Sequence, residues 1–296
     1  MSIDPPRRAR HTFHFPPAAP LRAYVERIWG WDEHEWLRLP LVTPGLGAEL
    51  FFHHGAPPRV RLPDADRELA RGHLLCVRRV PLQLSEQRDV GFTAVRIRAG
   101  ALGRFTRAPL SDLIDAQLGV REIWGRAGAD AADRVAEAKS EPERVRIIEN
   151  FLLERLAETT VDLIAERALR LIYDRSGPMS VAKLAEHCAL GRRQFERRML
   201  GYFGQSAVEL RCLARFYHVA RRLALDPSRD LLRSALDAGY YDQAHCIREF
   251  KRFAGMTPQA FQREAAGMTH FYNPPTGAIA KLGFTPRSNN HDSAAR

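Results

Sequence analysis

The side chains best suited to chemistry lie between Gly239 and Pro258, GYYDQAHCIREFKRFAGMTP, where amide, imidazole, guanidinium and ammonium groups crowd one short stretch. Cys246, Phe250 and Phe253 recur there at i, i+4 and i+7, which makes a single apolar stripe on a helix. Gln243, His245, Arg248, Lys251 and Arg252 lie off that stripe. Such groups hydrogen-bond base edges and phosphate oxygens, so the chemistry indicated is contact with a nucleic acid. Asp242 stands at the N-cap position, where its carboxylate accepts from the next turn's N–H groups and suits the positive end of the helix dipole. Gly255 closes the helix, and Thr257-Pro258 opens another by the cap-then-proline rule. Alone, such a stretch is equally a solvated amphipathic surface helix.

The same grammar occurs upstream. Ser180 precedes Val181, Leu184, Ala185 and Cys188 at helical spacing, and Leu190-Gly191 makes a turn. Phe195 and Met199 then face inward at i, i+4, while Arg193, Glu196 and Arg197 share another face. Arg192, Arg193, Arg197 and Arg198 place four guanidinium groups within one stretch of seven residues. Leu231 to Leu236 and the turn at Gly239-Tyr240 repeat the first half of that unit ahead of the second basic helix. The spacing predicts one long helix between the units, Val208 to Ala224, roughly 26 Å at 1.5 Å per residue. A rod of that size can hold two helices near the roughly 34 Å that separates successive major-groove faces of B-DNA.

Charge agrees. Across 296 residues Lys and Arg number 45 against 35 Asp and Glu, a net charge of +10. Residues 178–264 carry fifteen basic and nine acidic side chains, so six of the ten excess charges sit there. A basic balance favours an anionic partner, nucleic acid before a membrane surface. No stretch approaches the roughly 18 apolar residues of a membrane span, and the N-terminus lacks an apolar signal core, so a cytoplasmic protein is expected. Cys76, Cys188, Cys212 and Cys246 are scattered, without the spacing of a disulfide framework or a zinc site. They read as buried thiols.

In the N-terminal part, residues 1–20 read as a loose lead-in. Leu21, Tyr24, Val25 and Ile28 keep helical spacing. Short β-like runs follow at Leu41–Thr43, Glu49–His53, Val60–Leu62, Leu74–Val77 and Phe92–Ile97, as in a small sheet or barrel. Helical periods return in Leu110–Leu118, Val145–Leu156 and Val161–Tyr173, and Asp174 to Pro178 marks a boundary. His53, His54 and His73 could suggest a metal site, but neighbours on a strand point to opposite faces, so no metal and no cofactor are expected. Trp29, Trp31 and Trp36 are candidates for lining an effector pocket, against the plainer reading that they are core. No nucleophile, metalloprotease, phosphate-loop or dinucleotide motif is present, and no enzyme activity is expected. The tail from 266 to 296 has the composition of a disordered segment.

Over about Met179 to Glu264 the sequence resembles the AraC/XylS transcriptional regulators. Ala235, Gly239-Tyr240, Asp242, His245, Arg248, Phe250-Lys251-Arg252, Gly255, Thr257-Pro258 and Phe261 carry the likeness in the second unit. Leu184-Ala185, Cys188, Leu190, Phe195, Arg197, Phe203-Gly204 and Ser206 carry it in the first. Gly191, Ala207, Ser234 and Cys246 depart from the usual pattern. The resemblance implies an α+β chain: a β-rich, sensor-like domain with following helices at 21–174, then an all-α DNA-binding domain at 178–265 with two helix-turn-helix units joined by a long helix. It puts Arg193, Glu196 and Arg197 in one major groove and Gln243, His245 and Arg248 in the next, with Arg192, Arg198, Lys251 and Arg252 as phosphate candidates. Tyr24 to Trp31, Gly45 to Phe52 and Ile123-Trp124-Gly125 extend a weaker likeness to the N-terminal domains of some relatives, which bind small effectors or dimerise. The partners expected are double-stranded DNA, then a small-molecule effector, RNA polymerase and a second copy of the chain. The alternative is an effector-binding or interaction protein whose basic helices dock RNA or protein.

Overall fold

The computed structural model describes residues 11–36, 39, 41–76, 78–156, 162–174, 179–225 and 230–266. Most of the expected boundary at Asp174 to Pro178, Val77, Val161, the first ten residues and nearly all of the expected tail lie outside them. The architecture is α+β: an N-terminal sheet, then helices.

Strands β1 (His11–Phe15), β2 (Val25–Glu33), β3 (Ala48–His53), β4 (Arg59–Val60), β5 (Arg67–Glu68), β6 (Gly72–Leu75), β7 (Val90–Ile97) and β8 (Gln117–Gly119) precede the helices. Six of them form one antiparallel sheet in the order β1-β2-β7-β3-β6-β8, with β4 and β5 paired separately. Every residue of β3 and β7 is buried, because both faces of the sheet are covered. On one face Ile28, Leu50, Phe52, Val95 and Ile97 meet helices α1 (Val120–Glu137) and α2 (Glu141–Arg155). On the other, Trp29, Trp31, Phe51 and Phe92 pack with Val42, Leu82 and Leu84 from covering loops.

Two expectations from spacing change here. Leu21 to Ile28 is not a helix but a 3-10 turn at Ala19–Leu21 followed by β2. A register shift between Val25 and Arg27 puts Val25 and Ile28 in the same core despite their three-residue spacing, which imitates a helix. Leu110–Leu118 is a 3-10 turn, Leu110–Leu113, and then β8; Asp115 at φ 56° breaks the period, its carboxylate accepting from the Arg79 backbone and guanidinium at 2.6 and 2.8 Å. Conversely, α1 buries Gly128, Ala131 and Ala132 and so shows little apolar pattern.

Helices α3 (Leu163–Asp174), α4 (Val181–His187), α5 (Arg192–Phe203), α6 (Ala207–Leu225), α7 (Leu231–Asp237), α8 (Gln243–Ala254) and α9 (Pro258–Ala266) share a separate core. Ala165, Ala168, Leu169 and Ile172 of α3 belong to it, as does Leu46 from the loop before β3. Among the described residues no helix is long and apolar enough to cross a membrane.

His53 and His73 stack inside the sheet, 5.1 Å between ring centroids and nearly parallel, with Phe51 stacked on His73. His54 points away and meets Asp32 at 2.6 Å, so the histidines do not converge. Among the described residues no three metal-ligating side chains do. Both ring nitrogens of His53 are buried without a partner. Burial, with His73, His54 and Arg71 nearby, holds His53 well below the usual imidazole range, and burial brings His73 to about 4. An unfolded chain takes up these protons from about pH 6.5 downwards while the folded one resists, so stability falls as pH drops from about 6.5 towards 4. His53→Phe should flatten that acid limb by up to about 1.4 kcal/mol per pH unit, measured by denaturant unfolding across that range.

Candidate nucleic-acid interface

Each half of the helical domain builds the same device. In the first, Ser180 Oγ accepts from the Lys183 N–H at 3.2 Å and starts α4. A turn through Ala189, at φ 54°, leads to α5, whose Phe195, Met199 and Phe203 are buried at i, i+4 and i+8. In the second, Asp230 accepts from the N–H groups of Leu232 and Arg233 to start α7, and Gly239 turns the chain at φ 83°. Asp242 Oδ1 then accepts from the His245 N–H at 2.6 Å and caps α8, which buries Cys246, Phe250, Phe253 and Ala254. Gly204 and Gly255 end α5 and α8 in the left-handed region.

Helix α6, 19 residues and so roughly 28 Å long, is the shared support. Phe216 meets Phe250 and Phe253 at 4.9 and 5.1 Å between ring centroids. A polar clamp beside these rings was not visible in the sequence pattern. Arg215 donates to both oxygens of Glu249, at 3.3 and 2.9 Å, and the Tyr240 hydroxyl donates to the same carboxylate at 2.7 Å. Burial and the Glu249 charge push the Tyr240 phenol up, so it stays a donor at any ordinary pH. The available signal was a carboxylate on the inner flank of α8, between Cys246 and Phe253, which a buried site tolerates only with a cationic partner.

The expected contact residues divide. Arg193, Arg197, Arg248, Lys251 and Arg252 are exposed, Arg252 lying over the Phe253 ring. Gln243 is half-buried. Glu196 accepts from Arg192 Nε at 3.1 Å, a surface pair worth under about 1 kcal/mol. His245 sits edge-on to Tyr240 and 3.9 Å from Glu249, so its ring is steered by the clamp. Arg198 leaves the row: its Nε lies 2.7 Å from Asp162 Oδ2, whose other oxygen caps α3. That pair ties α5 to α3 and turns Arg198 away from the exposed row of α5. The tryptophans also part: Trp29 and Trp31 are core, whereas Trp36 is 70% exposed.

Residues 184–264 match the family model described as a helix-turn-helix domain. Over these residues the chain carries a helix-turn-helix domain. Solved structures similar to it include an AraC-type transcriptional regulator from Chromobacterium violaceum, 22% identical, covering 35% of this chain and 92% of that one, TM-score 0.33. Another is the DNA-binding domain of AdpA in complex with a target DNA, 20% identical, covering 36% and 96%, TM-score 0.34. ToxT from Vibrio cholerae, solved with an unsaturated fatty acid, is 11% identical over 81% of this chain and 95% of that one, TM-score 0.45. No curated protein matches the sequence.

In this helix-turn-helix domain the Arg215–Glu249–Tyr240 clamp is the joint between support and second basic helix. Glu249→Ala leaves Arg215 without its charge partner and should cost about 3 kcal/mol of stability, read by denaturant unfolding. A loss below about 1 kcal/mol would show that the clamp does not hold α8.

Proposed function

We propose that the protein is a transcriptional regulator that binds specific double-stranded DNA through α5 and α8, and that it carries out no catalytic step. The observation that supports this most directly is paired: both helices bury one apolar stripe in a common core while turning exposed guanidinium groups outward. Arg193 and Arg197 on α5, and Arg248 with Gln243 on α8, are the base-reading groups of this reading, since guanidinium forks match guanine and an amide matches adenine. Glu196 and His245 join them once their weak pairs with Arg192 and Glu249 open. Arg192, Lys251 and Arg252 supply phosphate contacts and most of the salt-dependent affinity.

For effector control, the cavity of about 320 Å³ between sheet and helices is a better candidate than the tryptophans. Tyr24, Glu26 and Arg96 line it from the sheet side, and Glu166, Arg170 and Tyr173 from α3. Arg104 donates to Glu166 at 3.3 and 3.4 Å across its edge, so a ligand there would touch the contact between the two halves. A DNA affinity that no member of a metabolite library shifts would remove the effector from this reading.

Selection from a random duplex library should return two sequence blocks about one helical turn apart. On the selected site Arg248→Ala should cost about 1 to 3 kcal/mol and relax preference at one position. Lys251→Ala should weaken every sequence alike and lower the salt slope by about 1. Equal losses on selected and random duplex for Arg248→Ala would end its assignment to base reading. Tighter binding to single-stranded nucleic acid than to duplex would overturn the proposal as a whole.

A further inference from the structure

Where the sheet meets α6, charge is buried in unequal amounts. Arg96 of β7 and Arg78 are 8% and 6% exposed, and Glu49 of β3 is 6% exposed between them and Arg27 of β2. Arg96 Nη1 and Arg27 Nη2 lie 3.6 and 3.9 Å from the two Glu49 oxygens, beyond hydrogen-bonding reach. One carboxylate thus faces three guanidinium groups. Arg221 of α6 makes a fourth cation, and Glu26, the other acid near Arg96, lies in the larger cavity. Two positive charges remain in excess. Burial lowers Arg78 to about 10 even with Glu49 nearby.

Donors are in excess too. Arg78 spends Nη2 on the Thr43 carbonyl at 2.9 Å, but its Nε and Nη1, and Nε of Arg27, are buried with no partner. Unmet donors on a charged, buried group are among the costlier features a fold retains. Arg96 itself has little room to move, for a side chain at Gly47 would meet its Cζ at 2.9 Å. A cavity of about 60 Å³ lies among these groups, lined by Arg27, Glu49, Arg78 and Arg96 on one side and Tyr217 and Arg221 on the other. That space admits a few non-hydrogen atoms only.

We propose that this cavity binds a compact oxyanion, a phosphate or carboxylate group, whose oxygens take the free donors of Arg78 and Arg27 and the guanidinium of Arg221. Guanidinium forks match such oxygens in pairs, and one anion there offsets both excess charges in part. Because Arg221 comes from α6 and the others from the sheet, the anion pins the helix-turn-helix domain to the sheet. This goes beyond the DNA-reading role and stands or falls without it.

The test is thermal unfolding and calorimetric titration of the full chain, without DNA, in inorganic phosphate or in acetate, with chloride keeping ionic strength constant. The expected result is a saturable rise in Tm with one of the two anions, which identifies the oxyanion. Arg78→Met and Arg221→Ala should each weaken its apparent Kd by about tenfold or more, the loss of one charged hydrogen bond. Arg221 is half-buried on a helix surface, so its variant serves if Arg78→Met does not fold. Arg211→Ala, on α6 but away from the cavity, should bind as the parent does. No saturable shift with either anion, unchanged affinity in Arg221→Ala, or equal weakening by Arg211→Ala overturns the proposal.

Discussion

Helix α6 has to satisfy several neighbours with one surface, and the rest of the helical domain follows from how it divides that surface. Phe216 faces the aromatic side of α8, while Arg215, one position back, closes on Glu249. Tyr217, one position on, turns towards the sheet beneath Arg96, and the His218 ring meets the Tyr173 carbonyl at 2.6 Å. Successive residues on a helix differ by about 100° in direction, so four adjacent side chains reach α8, the sheet and α3 at once. A tilt of α6 cannot change one contact and spare the other.

The helical half was largely legible from sequence because its signals are local. Ser180, Asp230 and Asp242 cap the helices they precede, and the stripes at Phe195 and Met199 and at Cys246, Phe250 and Phe253 are buried as their spacing implies. The sheet was less legible because its signals are not local. Val25 and Ile28 mimic a helix only because a bulge lies between them, and a bulge is visible only once β7 is in place. Helix α1 hides because small residues, not large ones, let it approach the sheet.

The candidate site divides in the same way. That Arg193, Arg197 and Arg248 are exposed follows from where the apolar stripes fall. That Arg198 is spent on Asp162 does not, since its partner lies 36 positions earlier and caps another helix. Nor does spacing reveal that Glu49, Arg27, Arg78 and Arg96, drawn from separate strands and loops, share one buried volume. Antiparallel pairing of β3 with β7 sets Glu49 opposite Arg96, and that register, not any motif, creates the charge cluster.

Cys246 stands where the AraC/XylS pattern that the sequence resembles usually has a larger apolar residue, and its burial has a chemical consequence. The thiol is fully covered beneath α8, and burial together with the Glu249 charge pushes it up to about 11. At neutral pH only about one molecule in 10⁴ carries the reactive thiolate, and no reagent can approach while the helix is seated. Alkylation of this sulfur therefore proceeds only through moments when α8 lifts from α6. The chain carries, without any added label, a chemical clock for the opening of its second basic helix.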